Sequence, residues 1–174
     1  MDLSDAKALV TGGGSGLGRE FTLQLARAGA GVAFCDVSEK GIAETETEAK
    51  GLPGKVVGFR ANVADETEVT KLVADAHAAL GGLSVLVNNA GIFRDGLLVK
   101  KDRKSGAIQK MSLDQWNAVV SIDLTGPFLC AREFAAKVIE SDGAPAEIFQ
   151  AVRFVIECDY FTGRCIDVDG GIVT

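Results

Sequence analysis

Thr11-Gly12-Gly13-Gly14-Ser15-Gly16-Leu17-Gly18 decides the reading because of what stands on either side of it. Before it runs a short apolar stretch, Ala6-Lys7-Ala8-Leu9-Val10, and after it Leu17, Phe21, Leu25 and Ala28 recur at helical spacing. The local order is strand, tight turn, helix. A helix start presents unpaired backbone N–H groups and the positive end of the helix dipole, and glycines let another group approach the backbone closely. An anion such as a pyrophosphate fits there. Gly29 closes the helix, Gly31-Val32-Ala33-Phe34-Cys35 forms a second strand, and Asp36 stands at its end. A carboxylate at that place accepts hydrogen bonds from both hydroxyls of an adenosine ribose and opposes a 2′-phosphate, which favours NAD over NADP. Val37 is not basic, and Ser15 occupies the turn position where a cation would pair with a 2′-phosphate. A triphosphate-binding loop is excluded by residue type, since Gly13 and Gly18 are followed by Arg19-Glu20 rather than Lys and a hydroxyl residue.

The rest of the composition agrees. The 174 residues, 47% of them apolar, suit one dinucleotide-binding domain over 1–174 with a buried core. A net charge of −6 gives nucleic acid and anionic membranes no broad field to follow. No apolar run approaches the roughly 18 residues that span a bilayer, and Met1-Asp2-Leu3-Ser4-Asp5 lacks a basic signal region, so a cytoplasmic location is expected. Cys35, Cys130, Cys158 and Cys165 form no C-x-x-C pair and read as reduced thiols, while a single histidine, His77, excludes a multi-histidine metal site. No metal is expected.

Outward from the glycine turn, strands and helices alternate. Ser38 opens a Glu-rich helix, Lys55 to Arg60 reads as a third strand, and Asp65 with Glu68 reads as a capping box for Val69, Leu72, Val73, Ala76 and Leu80. Leu83-Ser84-Val85-Leu86-Val87 is nearly continuous in apolar residues, the pattern of a parallel strand buried on both faces. Arg94 to Lys110 reads as a polar loop carrying Lys100, Lys101, Arg103 and Lys104. Ser112 and Gln115 form a second capping box, with a hydrophobic staple between Met111 and Trp116, and open a long helix to about Glu140. Pro127 interrupts this helix and deprives the Asp123 carbonyl of its helical donor. After Ser141-Asp142-Gly143-Ala144-Pro145 come an amphipathic helix with Ile148, Val152, Val155 and Ile156, and a last strand, Cys165 to Val168.

Taken together these segments resemble the short-chain dehydrogenase/reductase family. The resemblance rests on Thr11-Gly12-x-x-x-Gly16-x-Gly18, Asn62-Val63, Asn88-Asn89-Ala90-Gly91, Ile122-Asp123-Leu124-Thr125-Gly126, and Thr162-Gly163 with Asp167-Val168-Asp169-Gly170-Gly171. It implies an α/β Rossmann-type doubly wound parallel sheet in three layers, with helices on both faces. It implies that Gly12, Gly14, Ser15, Gly16, Leu17, Gly18, Asp36 and Val37 bind the cofactor NAD, that Asn62 and Val63 flank the adenine, and that Asn89, Ala90 and Gly91 line the cofactor site. Asn62 stands where the family usually has an aspartate. Asp123 stands where the family has its catalytic asparagine, whose backbone carbonyl helps hold a water of the proton relay. The substrate implied is a small alcohol or ketone, and the assembly a homo-oligomer, dimer or tetramer.

The family's proton donor, a tyrosine with a lysine four residues later, has no counterpart here. The only tyrosine, Tyr160, sits in the turn Asp159-Tyr160-Phe161-Thr162-Gly163 and reads as a structural residue, and Arg164, four residues on, stays protonated and cannot serve a proton relay. The sheet is therefore expected to lack two strands of the family, through an internal deletion near 143–146 that would have carried the serine, the tyrosine and the lysine. Three readings follow. The first is an NAD-dependent oxidoreductase transferring hydride between the nicotinamide and a secondary alcohol or ketone; the others are a truncated, inactive dinucleotide-binding protein and a structural subunit that pairs with a full-length relative.

Overall fold

The computed structural model describes residues 2–94 and 96–141. The deletion expected near 143–146, the helix around Ile148, Tyr160 and the strand Cys165 to Val168 lie outside the described residues. Among those described, the strands β1 (Lys7–Thr11), β2 (Gly31–Asp36), β3 (Val56–Arg60) and β4 (Val85–Val87) form one parallel sheet in the order β3-β2-β1-β4. The register pairs Val10 with Phe34 and Leu9 with Leu86.

Alternation along the strands builds two cores, one on each face of the sheet. Ala8, Val10, Val32 and Phe34 pack on one face with Ala26 of α1 (Gly16–Arg27) and Ile42 of α2 (Glu39–Glu48). Leu9, Ala33 and Cys35 pack on the other face with Val69, Leu72, Val73 and Ala76 of α3 (Glu66–Leu80) and with Leu129, Phe134 and Val138 of α5 (Gly126–Glu140). The result is the doubly wound three-layer α/β fold that the alternation implies. Burial pushes the Cys35 thiol up to about 12 and the Cys130 thiol up to about 11, so both stay protonated and behave as small hydrophobes. Among the described residues no helix is long and apolar enough to cross a membrane, and no cluster of side chains would hold a metal ion.

Four sequence expectations need correction. The Asp65 carboxylate accepts the Glu68 N–H, but Glu68 does not return the bond to complete a capping box; its carboxylate accepts the Asn62 N–H at 2.8 Å instead. Val85, Leu86 and Val87 are half-buried, because among the described residues β4 has a strand neighbour on one side only. The segment Arg94 to Lys110 contains a hairpin, β5 (Val99–Lys101) paired antiparallel with β6 (Ile108–Lys110), rather than a plain loop. The long helix is two helices, α4 (Leu113–Val120) and α5, joined by a π turn at Ser121–Thr125 in which the Gly126 N–H reaches the Ser121 carbonyl. The break thus begins ahead of Pro127, which lacks the N–H that an α-helical Asp123 carbonyl requires. The second capping box, between Ser112 and Gln115, is complete, whereas Trp116 is exposed.

Candidate functional site

In a parallel sheet every strand ends at the same edge, and the carboxyl edge here gathers Gly12 after β1, Asp36 on β2, Asn62 after β3 and Asn89 after β4. The glycines between β1 and α1 are required by space as well as by conformation. Gly12 has φ +68°, and a Cβ there would lie 2.9 Å from the Ala90 Cα. A Cβ on Gly18 would lie 2.1 Å from the Gly12 carbonyl oxygen. Gly16 differs: its φ is +54°, yet nothing stands within 4 Å of its would-be Cβ, so the chain bends there beside open space.

Side chains hold each carbonyl of this turn. The Asn89 amide donates to the Thr11 and Gly12 carbonyls at 3.1 and 3.4 Å, Thr45 on α2 donates to the Gly13 carbonyl at 3.0 Å, and Arg19 donates to the Gly14 carbonyl at 2.6 Å. The corresponding N–H groups also have partners at first: Gly13 donates to the Cys35 carbonyl and Gly14 to an Asp36 carboxylate oxygen at 3.0 Å. From Ser15 the pattern stops. The Ser15 side chain makes no capping bond, and the N–H groups of Ser15, Gly16, Leu17 and Gly18 have no acceptor among the described residues. These are the amides that a helix start leaves open.

Asp36 is fixed rather than free. One carboxylate oxygen accepts the Gly14 N–H and the other the Ser38 N–H at 2.9 Å, while each keeps a further lone pair. Val37, the next residue, is exposed, as is Leu17 in the first turn of α1. The Asn62 side-chain oxygen accepts the Ala64 N–H, and Val63 is buried under Gly126, where a Cβ would lie 2.9 Å from Val63. At the end of β4, the Thr11 hydroxyl accepts the Asn89 and Ala90 N–H groups, each at 3.0 Å. Asp123, exposed in the π turn, accepts the Ile92 N–H on its carboxylate at 2.9 Å and borders Gly91. The structure thus brings every expected residue to one edge, although Asp123 meets the others only through the chain that follows β4.

Residues 6–148 match the family model for short chain dehydrogenases. The chain belongs to that family. It is 38% identical over 128 residues to a 3-oxoacyl-[acyl-carrier-protein] reductase of Thermotoga maritima, covering 74% of this chain and 48% of that protein. Among solved structures it resembles a short chain dehydrogenase/reductase from Burkholderia phymatum in complex with NAD (TM-score 0.67, 31% identity, 79% of this chain and 46% of that one). It also resembles a short chain dehydrogenase from Burkholderia cenocepacia in complex with NADP (TM-score 0.67, 29% identity, 79% and 52%). The chain spans about half the length of the curated relatives it matches.

Within this member of the family, sequence reasoning missed the residues of α2 that hold the glycine turn. Gly41 lies against Gly14, with a would-be Cβ 2.7 Å from its carbonyl oxygen, and Thr45 is fully buried. Glu44 and Glu48 receive the Arg19 guanidinium at 2.7 and 2.9 Å. A signal existed: Gly41, Glu44, Thr45 and Glu48 share one helical face. Nothing local tells that this face meets a turn formed by residues so far ahead in the chain.

Proposed function

We propose that this chain belongs to an NAD-dependent oxidoreductase of the short-chain type and that the described residues are its dinucleotide-binding half. The observation that carries the reading is the run of open amides from Ser15 to Gly18 at the start of α1, beside a carboxylate already oriented at the end of β2. The open amides suit a pyrophosphate, with Gly12, Gly14 and Gly16 admitting close approach. The spare lone pairs of Asp36 suit the two ribose hydroxyls, with Val37 beside the adenosine. Asn62 and Val63 suit the adenine, and Asn89, Ala90 and Gly91 the nicotinamide end. Arg19, beside the glycine turn, is already engaged by Glu44 and Glu48, and the Asp36 carboxylate itself would oppose a 2′-phosphate; this favours NAD over NADP. When bound, the dinucleotide supplies or takes up hydride, and a small alcohol or ketone is the matching substrate.

A second reading, binding without turnover, is favoured by one fact: the only tyrosine is Tyr160, and Arg164 takes the place of the partner lysine. Fluorescence titration with NADH and NADPH tests the common part, and the expected result is saturable NADH binding at least about tenfold tighter than NADPH. Equal affinities would refute the preference, and no binding of either would refute the reading. Hydride transfer to a panel of ketones then separates the two readings, turnover favouring the first and binding alone the second.

Assembly is proposed from Leu113, Trp116, Leu124 and Phe128, apolar residues left exposed along α4, the π turn and α5. A second copy of the chain would cover them. The unpaired cysteines among the described residues, Cys35 and Cys130, suit a reducing, cytoplasmic setting.

A further inference from the structure

The three peptide units of the glycine turn are held by three different donors, and only one donor is charged. Across a trans peptide the carbonyl and the following N–H point in opposite directions, so fixing one aims the other. Asn89 on the Gly12 carbonyl leaves the Gly13 N–H facing the Cys35 carbonyl, and Thr45 on the Gly13 carbonyl leaves the Gly14 N–H facing Asp36. Arg19 on the Gly14 carbonyl acts on the third unit, whose N–H belongs to Ser15 and has no acceptor among the described residues.

We propose that Arg19 is a positioning residue for the dinucleotide: braced on Glu44 and Glu48, its guanidinium holds the Gly14 carbonyl toward α2 and so turns the Ser15 N–H away, into line with the open amides of Gly16, Leu17 and Gly18. The inference rests on the dinucleotide reading above and adds to it a residue that touches the turn rather than the ligand. Three features of the structure support it. The guanidinium uses one nitrogen for both the Gly14 carbonyl and Glu44 and another for Glu48, so the arginine links turn and helix in a single fork. Its Nε is buried without a partner, which shows that the fork is placed for its two terminal nitrogens at the cost of the third. Gly41 brings α2 close enough for the reach, since any larger residue would strike Gly14.

The engagement with two glutamates also separates this role from that of a direct phosphate ligand. An arginine that grips phosphate gains when its carboxylate partners are removed; an arginine that positions the turn loses its brace. The experiment measures dissociation constants for ADP-ribose, which contains the pyrophosphate, and for adenosine, which does not, by displacement of NADH fluorescence from the 174-residue chain. In Arg19→Gln, ADP-ribose is expected to bind about tenfold more weakly, with adenosine changed much less. The double variant Glu44→Gln/Glu48→Gln, which keeps Arg19, is expected to weaken ADP-ribose in the same direction, and Arg19→Lys to recover part of the loss. Tighter ADP-ribose binding in the glutamine double variant would overturn the proposal in favour of direct contact. Equal weakening of both ligands would overturn it in favour of a general structural role. If Arg19→Gln does not fold, the glutamine double variant decides alone. Absence of NADH binding by the parent chain would remove the dinucleotide reading itself, whereas unchanged ADP-ribose binding in folded Arg19→Gln would remove only this inference.

Discussion

The centre of the sheet and its β4 side differ sharply. On β1 and β2 the residues Ala8 to Thr11 and Val32 to Cys35 are buried, and every carbonyl of the adjoining turn has a donor. Around β4 the strand is half-buried, and Trp116, Leu124 and Phe128 on the neighbouring helical segments are 55%, 64% and 60% exposed. The sequences are similarly apolar, so composition does not make the difference. What differs is whether a strand's partners on both sides and both faces lie among residues 2–141. β1 is flanked by β2 and β4 and covered by α1 and α3, while β4 is flanked by β1 alone. The centre of the sheet is closed by these residues, and both edge strands, β3 and β4, are half-buried; on the β4 side the helical segments also present apolar surface for something further to cover.

The largest expected effect lies in the closed centre of the sheet. Phe34 is fully buried between Gly13 and Gly58, and Phe34→Ala should cost about 3–5 kcal/mol in urea unfolding, because it removes an aromatic core residue and loosens the wall behind the glycine turn. A loss below about 1 kcal/mol would erase the distinction between the two sides. Leu86, on β4 and on the other face of the sheet, packs only in part against the α3 core, so Leu86→Ala should cost about 1–1.5 kcal/mol, roughly half the transfer energy of a buried leucine. A cost as large as that of Phe34→Ala would mean that β4 is covered after all.

A smaller effect is set by pH. The Arg19 guanidinium beside Glu44 holds its carboxyl below its ordinary value of 4.5, so the ion pair's contribution is complete above that value and is lost as the pH falls through the lowered one. Thermal unfolding between pH 6 and pH 3 should therefore show a steeper acid decline in the parent than in Glu44→Gln; parallel curves would show that the pair adds nothing to stability. The smallest effect on stability belongs to Trp116→Ser, which should change monomer unfolding by no more than about 0.5 kcal/mol. The same substitution should shift light scattering toward the monomer, and an unchanged molar mass would detach the exposed face from assembly.

The same contrast explains what the sequence made legible. The glycine turn could be read because its backbone requires Gly12 and Gly18 at fixed places, and Asp36 could be read because a carboxylate ending a second strand has few other uses. Val32-Ala33-Phe34-Cys35 could be read as a strand because it is a continuous apolar run, and its residues feed the two cores in turn. The hairpin was missed because Val99-Lys100-Lys101 and Ile108-Gln109-Lys110 are too short and polar to show a strand period. Glu68 was misassigned because two N–H groups, those of Asp65 and Asn62, lay within its reach and the sequence does not rank them. An apolar run such as Val85-Leu86-Val87 states what a strand is able to bury, not what comes to cover it. Thr45 escaped because its bond to the Gly13 carbonyl crosses from one βα unit to the next, a contact that no local pattern encodes.

The π turn at Ser121–Thr125 works as a phase shifter. A closure from residue i to i+5 takes up one residue more than an α-helical turn, so everything beyond it is rotated by about 100° relative to an unbroken helix. That rotation sets the azimuth at which Leu129, Cys130, Phe134 and Val138 reach the core against α3, whereas α4 buries none of its residues. Force the same residues into an unbroken α-helix and the apolar stripe would swing more than a quarter of the way round and open the seam with α3, whereas deleting one residue of the turn would restore α pitch and keep the stripe in phase.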